Sequence, residues 1–282
     1  MDVPIPLVEP LVRAALAEDL GPGDITTRLT VPVGIRALGR LIAKQSGVVC
    51  GLGVARIAFA CIDPEAVFEP LRDDGDLVSP GDVLAEVRGS ASGLLVAERV
   101  ALNFLQRLSG TATATRAFVD AVAGSPARVV DTRKTTPGLR ILEKYAVRCG
   151  GGANHRFGLS DGILIKDNHL AAGGGVAVCV ARARAAAPHG LRVEVECKTL
   201  AQVDEAVAAG AEIVLLDNME PELLREAVRR IAGRARTEAS GGVRLDTIAA
   251  IAATGVDLIS VGALTHSAPS LDISLDFEPI DA

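Results

Sequence analysis

Aromatic residues are scarce in this chain of 282 residues: one Tyr, six Phe and no Trp. A core must therefore be built from Ala, Val, Leu and Ile, and a hydrophobic fraction of 49% is ample for one large or two smaller α/β domains. Cysteine is also sparse. Cys50, Cys61, Cys149, Cys179 and Cys197 are odd in number and contain no Cys-x-x-Cys pair. That supports neither a disulfide framework nor a structural zinc site, and fits reduced thiols in a cytosol. No apolar run reaches the length of a membrane span, and the start MDVPIPLVEP has no basic stretch ahead of an apolar one. The expectation is a soluble, unexported, cytoplasmic protein. Blocks of like charge are missing too, and a net charge of −6 argues against nucleic-acid or membrane partners. A Gly-x-Gly-x-x-Gly fingerprint of the dinucleotide-binding folds is not found where one would follow a first strand.

What is present falls into two styles. From residue 7 to 20, Leu7, Val8, Leu11, Val12, Ala15 and Leu16 mark a helical face that Gly21-Pro22-Gly23 ends. Strand-like runs at 37–44 and 83–87 flank a helix expected over 53–61, and 94–123 reads as helical with a break near Ser109-Gly110. The stretch 74–87 has the turn rhythm of biotinyl and lipoyl domains but no Lys to carry a prosthetic group, which favours a structural role. After Pro126 strands recur at 128–133, 162–166, 192–197, 212–217, 236–240 and 258–262, with Ala-rich amphipathic segments between most of them. Such alternation predicts right-handed βαβ units, a parallel sheet and a closed or nearly closed barrel. The expected organisation is two domains, the second of them the barrel.

Barrel enzymes place their chemistry at the C-terminal ends of the strands. Here those ends read Asp131-Thr132-Arg133-Lys134, Lys166-Asp167-Asn168-His169, Glu194-Val195-Glu196, Asp217-Asn218, Glu238-Ala239-Ser240-Gly241-Gly242 and Gly262. One such polar residue is ordinarily a helix cap. A coincidence at six strand ends is harder to assign to capping, although Arg128, Arg192 and Arg236 show that the strand entries carry charge as well. Arg133, Lys134, His155, Arg156 and Lys166 supply donors suited to carboxylates or phosphates. Glu196 and Asp217 offer hard oxygens for magnesium, or negative charge for a developing cation, while Lys166 and Glu196 could equally form a structural ion pair. Ser240-Gly241-Gly242 and Val261-Gly262-Ala263 fall where barrels hold a phosphate on backbone N–H groups. Gly150-Gly151-Gly152 directly before Asn154-His155-Arg156 is read as letting backbone approach a ligand, although His155 could be a satisfied surface histidine.

Several separated blocks carry a resemblance: DTRKTTPGLRILEKYAVRCGGGANHR (131–156), ILIKDNH (163–169), VEVEC (193–197), LLDN (215–218), EASGG (238–242) and VGALTHS (261–267). In these the chain resembles the quinolinate phosphoribosyltransferase family, along nearly its whole length. The resemblance implies an N-terminal α/β sandwich domain over 1–110 and an incomplete TIM-like barrel over 111–267, with the tail from about 268 to 282 packing back on the first domain. It implies too a homodimer in which one subunit's N-terminal domain caps the partner's barrel. It also implies that quinolinate and phosphoribosyl pyrophosphate are converted to nicotinate mononucleotide, pyrophosphate and carbon dioxide, with magnesium and no organic cofactor. It makes Arg133, His155 and Arg156 binders of the quinolinate carboxylates, with Thr132, Lys134 and Lys166 beside them. Glu196 and Asp217 then stand near the ribose and magnesium, and Ser240, Gly241, Gly242, Val261, Gly262 and Ala263 form the phosphate loops. The catalytic set is Lys134, Lys166, Glu196 and Asp217. Arg99, in the stretch Ala97 to Asn103, matches an arginine that reaches the partner's site, although an exposed pair with a neighbouring Glu would explain it equally. Rival readings are the homologue found with molybdate transport systems, a nicotinate-specific phosphoribosyltransferase, and a non-catalytic anion-binding regulator.

Overall fold

A computed structural model describes residues 4–280. The first residues of the MDVPIPLVEP start and the last two of the tail lie outside the described residues. The chain divides into two compact units, Met1–Arg116 with Thr136–Gly151 and Ala268–Ala282, and Ala117–Thr135 with Gly152–Ser267.

The first unit opens with helix α1 (Ile5–Leu20), whose Val8, Val12 and Leu16 recur every four residues and are buried. Helix α2 (Ile25–Thr30) is capped by Asp24, whose carboxylate accepts from the Thr27 N–H at 3.0 Å. Then come strand β1 (Arg36–Ala43), β2 (Gly47–Val48), helix α3 (Leu52–Ile62), β3 (Val67–Pro70), β4 (Leu77–Val78), β5 (Val83–Ser90) and helix α4 (Ala91–Ala121). The break expected near Ser109-Gly110 does not occur, because α4 runs through both residues. Gly110 is there for a close approach instead: a Cβ on it would lie 1.9 Å from the Pro269 carbonyl oxygen.

The second unit starts with β6 (Arg128–Val130), after which helix α5 (Arg140–Cys149) belongs to the first unit. It continues through β7 (Ile163–Ile165), α6 (Asp167–Gly173), α7 (Val176–Ala186), β8 (Val193–Cys197), α8 (Leu200–Ala208), β9 (Ile213–Asp217), α9 (Pro221–Ile231), β10 (Arg236–Ser240), α10 (Ile248–Ala252), β11 (Leu258–Ser260) and α11 (Ala263–His266). Strand β12 (Ile273–Ile280) closes the chain in the first unit, antiparallel to β1 with Arg36 opposite Ile280. The first unit's main sheet has the order β12-β1-β5-β3 and is antiparallel throughout. Its core combines Val8, Val12, Phe59 and Leu94 with Leu142 and Ala146 of α5, which is why α5 belongs there.

Six strands of the second unit form one sheet in the order β6-β11-β10-β9-β8-β7, and every pairing is parallel. β6 and β7 stand at opposite ends of that order, so the barrel is incomplete; a single bridge from Val130 to Ala153 extends the β6 side. Several strands end earlier than the residue pattern suggests, β6 at Val130 and β11 at Ser260, because the chain beyond turns into loops. Side chains alternate across a strand. Val193, Val195 and Cys197 of β8, Val214 and Leu216 of β9 and Thr237 and Ala239 of β10 are buried on one face, and α7, α8 and α9 pack on these strands. Glu194 and Glu196, Leu215 and Asp217, and Glu238 and Ser240 therefore share the other face, around the barrel cavity.

Candidate active site

Asp131, the first residue past β6, is fully buried and organises the loop that follows the next crossover. Its carboxylate accepts from the His155 N–H at 2.9 Å and from the Asn154 side-chain amide at 2.6 Å. It thereby fixes Asn154-His155-Arg156 beside the end of β6. Thr132 accepts from the Lys134 N–H at 3.0 Å, and the Lys134 carbonyl accepts from the Thr265 hydroxyl at 2.7 Å. Asp131 and Thr132 thus shape the backbone, and Arg133 and Lys134 are what the loop presents.

Thr132, Arg133 and Lys134 line a cavity of about 580 Å³ at the C-terminal ends of the strands, together with His155, Arg156 and Lys166. Arg156 donates to the Gly162 carbonyl at 3.0 Å, while its buried Nε has no hydrogen-bond partner. Burial first, and the charge of Arg133 second, hold its guanidinium below the usual arginine range. Two guanidiniums that repel each other in a half-buried site bind an anion better than they bind water.

Across the cavity stand Glu196 and Asp217. Burial first and the charge of Asp217 second push the Glu196 carboxyl up, opposed by Lys166, whose ammonium lies 3.9 Å from it. The ion pair weighed from sequence is therefore formed. Below this pair Glu238, only 1% exposed, lines the cavity floor with Ser260 and His155. His155 Nε2 lies 3.2 Å from Glu194 and 3.6 Å from Glu238, and its Nδ1 accepts the Arg156 N–H at 2.7 Å. Burial first, then the charge of Glu194, drive the Glu238 carboxyl up to about 7 against the pull of His155 and Ser260.

Ser240, Gly241, Gly242, Gly262 and Ala263 form the remaining wall. Gly241 sits at φ 99°, and a Cβ there would lie 2.2 Å from the Asn218 Oδ1. Asn218, itself at φ 53°, donates its N–H to the Ser240 carbonyl at 2.8 Å. The loops after β9 and β10 are thereby locked together by a position only glycine fills without strain.

The cavity brings together nearly all the residues singled out from sequence. Val261 is buried behind the wall and does not line it. Arg99 is an exposed residue of α4, 3.8 Å from Glu98, and is likewise not among the lining residues. Asn218 and Glu238, named from sequence only as strand-end residues without a role, line the cavity, and so do Arg244, Ser260 and His266, which were not singled out. Ser260 and Glu238 could have been found from the alternation that places Glu196 and Asp217 inward; Arg244 and His266 carry no such signal.

Fold and site together define a barrel enzyme for polyanionic substrates, whose cavity is lined by a cluster of cations, an acidic pair that Lys166 approaches, and glycine loops. The N-terminal and C-terminal domain models of quinolinate phosphoribosyl transferase match residues 24–109 and 111–276. A relative in Mycobacterium leprae, nicotinate-nucleotide pyrophosphorylase [carboxylating], is 48% identical over 94% of this chain and 95% of its own. A probable enzyme of the same name in Bacillus subtilis is 45% identical over 94% and 92%. The crystal structure of NadC from Streptococcus pyogenes superposes with a TM-score of 0.96 at 46% identity, covering 100% of both chains. This chain belongs to the quinolinate phosphoribosyltransferase family.

Proposed function

We propose that the barrel cavity is where this chain carries out its reaction, the decarboxylating transfer that takes quinolinate and phosphoribosyl pyrophosphate to nicotinate mononucleotide, pyrophosphate and carbon dioxide in de novo NAD biosynthesis. The observation that carries this assignment is the facing of Arg133 and Arg156, mutually repelling cations, toward Glu196 and Asp217 across one cavity of about 580 Å³. A dicarboxylate relieves the first pair. A ribosyl cation relieves the second.

Arg133 and Arg156 hold the two quinolinate carboxylates, with Lys134 and Lys166 adding charge for the carboxylates and the departing pyrophosphate. His155, which lines the same cavity, has a second role beside the carboxylate binding expected of it. Its Nδ1 accepts a backbone N–H and its Nε2 faces Glu194 and Glu238, so it positions Arg156. Glu196 and Asp217 stabilise positive charge at ribose C1 as the bond to pyrophosphate lengthens, in a site where their charge is poorly screened. These same carboxylates, close enough for one to raise the proton affinity of the other, fit a divalent cation. Glu196 and Asp217 would hold magnesium, which would supply neutralisation of phosphate charge on the leaving group. Ser240, Gly241, Gly242, Gly262 and Ala263 cradle the 5′-phosphate with backbone N–H groups. The pyridine nitrogen, oriented by the arginines, attacks C1, and the resulting ring cation accepts the electron pair left when the adjacent carboxylate departs.

The active enzyme is a cytoplasmic homodimer in which Arg99 serves the partner's site. Its five cysteines are all free, and among the described residues no helix is long and apolar enough to cross a membrane. The deciding assay incubates the purified protein with phosphoribosyl pyrophosphate, magnesium and either quinolinate or nicotinate. Equimolar nicotinate mononucleotide and carbon dioxide from quinolinate alone is the expected result; turnover of nicotinate, or silence with quinolinate from a folded dimer, overturns the assignment.

A further inference from the structure

The reaction leaves one proton unaccounted for. When the bond from ring C2 to the carboxylate carbon breaks, carbon dioxide leaves and the electron pair remains on C2. Nicotinate mononucleotide carries hydrogen at that carbon, so a proton must be delivered there. The groups given roles above are already committed to other charges. Lys134 and Lys166 are cations facing phosphate and carboxylate, Glu196 and Asp217 serve the ribose, and His155 has Nδ1 turned to the Arg156 N–H.

Glu238 is different. It lies on the floor of the substrate cavity with Ser260 and His155 around it. Glu194 and Glu238 both face His155 Nε2, at 3.2 and 3.6 Å, and are both buried. One imidazole N–H compensates one carboxylate. The Arg156 guanidinium also lies toward Glu194, whereas burial and the charge of Glu194 push the Glu238 carboxyl up. Glu194 does not line the substrate cavity, and Glu238 does.

Glu238 also borders a second cavity, of about 360 Å³, at the opposite, N-terminal mouth of the barrel. Arg128, Arg192 and Arg236 stand at its rim, each two residues before Val130, Glu194 and Glu238 on the same strand face, and all three are exposed. His155, Glu194 and Glu238 line this cavity as well. A thin layer of side chains, the His155 and glutamate cluster, therefore separates substrate from solvent at the far mouth.

We infer that Glu238 is the acid that protonates ring C2 as carbon dioxide leaves, and that it is reprotonated from solvent through the N-terminal mouth of the barrel. The step is balanced: the C2–carboxylate bond breaks, its electron pair takes the proton of Glu238, and the resulting carboxylate recovers a proton from water while product still fills the upper mouth. Glu194 on β8, His155 and Arg156 on the preceding loop and Ser260 on β11 are the polar groups facing this cluster. The elevated proton affinity of Glu238 keeps the donor loaded near neutrality, and a bound dicarboxylate raises it further.

The inference rests on the proposed function, and the experiment separates the two. A single turnover with carboxyl-labelled quinolinate, phosphoribosyl pyrophosphate and magnesium is quenched at short times, and pyrophosphate and carbon dioxide are counted separately. Glu238→Gln is expected to release pyrophosphate but to slow carbon dioxide by about a hundredfold, the usual worth of a positioned acid, so that the carboxylated nucleotide accumulates. Release of the two together, at the wild-type rate or equally slowed, overturns the role of Glu238. Should the variant not fold, the wild-type protein is read across pH 6 to 9: the carbon dioxide step alone must slow as Glu238 ionises, and a flat profile overturns the inference. A wild-type enzyme that releases neither product sinks the functional assignment instead.

Discussion

On the antiparallel sheet of the first unit, Arg40 lies 2.7 Å from Glu278 and 3.0 Å from Glu86, and Arg88 pairs with Glu69 and Glu86. All but Arg88–Glu86, which lie two residues apart on β5, are cross-strand pairs, and in each a partly exposed cation meets an anion. On the parallel sheet of the second unit the inward positions bring like charges together: Glu194 beside Glu238, Glu196 near Asp217, and Arg156 near Arg133 in the loops above. The first arrangement is a surface satisfied in itself. The second crowds like charges into a cavity, where Lys166 and His155 offset only part of the acidic charge, and such crowding is what marks it as a site.

That contrast breaks most visibly at Arg133. Arg133→Ala is expected to lower kcat/KM for quinolinate by roughly 10²- to 10³-fold, the usual worth of one charge-stabilising group, with circular dichroism unchanged; near-normal turnover would remove Arg133 from the site. The next largest effect is on stability. Burial and the neighbouring Glu194 push the Glu238 carboxyl up to about 7 in the folded state, from an ordinary 4.5. The folded state thus holds an extra proton between these values, and stability falls as pH rises through the window. Above it the loss is on the order of 3 kcal/mol. Glu238→Gln, neutral at every pH, should therefore melt higher than wild type at pH 8 and show little of that gain at pH 4.5, by calorimetry; an equal difference at both pH values would mean the carboxyl is not held protonated.

Gly241→Ala sharpens the comparison from the loop side. Its Cβ meets the Asn218 side chain at 2.2 Å and its backbone lies at φ 99°, so a cost of about 1 to 3 kcal/mol is expected. The KM for phosphoribosyl pyrophosphate should rise with it, and an unchanged KM would show that this loop does not hold the phosphate. The smallest effect belongs to the satisfied sheet: Arg40→Ala should cost under about 1 kcal/mol, as exposed pairs do, and leave turnover intact.

Much of the barrel is legible in the sequence because period-2 alternation and helix amphipathicity are local. The strands at 212–217 and 236–240 emerge within a residue of their observed bounds, and an amphipathic helix follows the first of them, from Pro221 to Ile231. Arg133, Lys134, Lys166, Glu196 and Asp217 stand out for the same reason, as polar residues ending apolar runs. The pairing of β12 with β1 is not legible, since Arg36 and Ile280 have no local signal joining them. Nor is the burial of α5 in the first unit's core, nor the unbroken course of α4 past Gly110, which depends on a carbonyl from the distant Pro269.

By itself the sequence determined the alternating strands and helices, the family, and the kinds of charge carried at each strand end, because these depend on neighbours along the chain. Tertiary structure alone decided which of those charges face one another. His155 became a partner of two buried glutamates because β8 and β10 place Glu194 and Glu238 on one inner face with only β9 between them. The loop set by Asp131 brings the imidazole over that face. Electrostatic coupling depends on distance through space and on exclusion of water, and both are fixed only when the sheet has curled around its cavity.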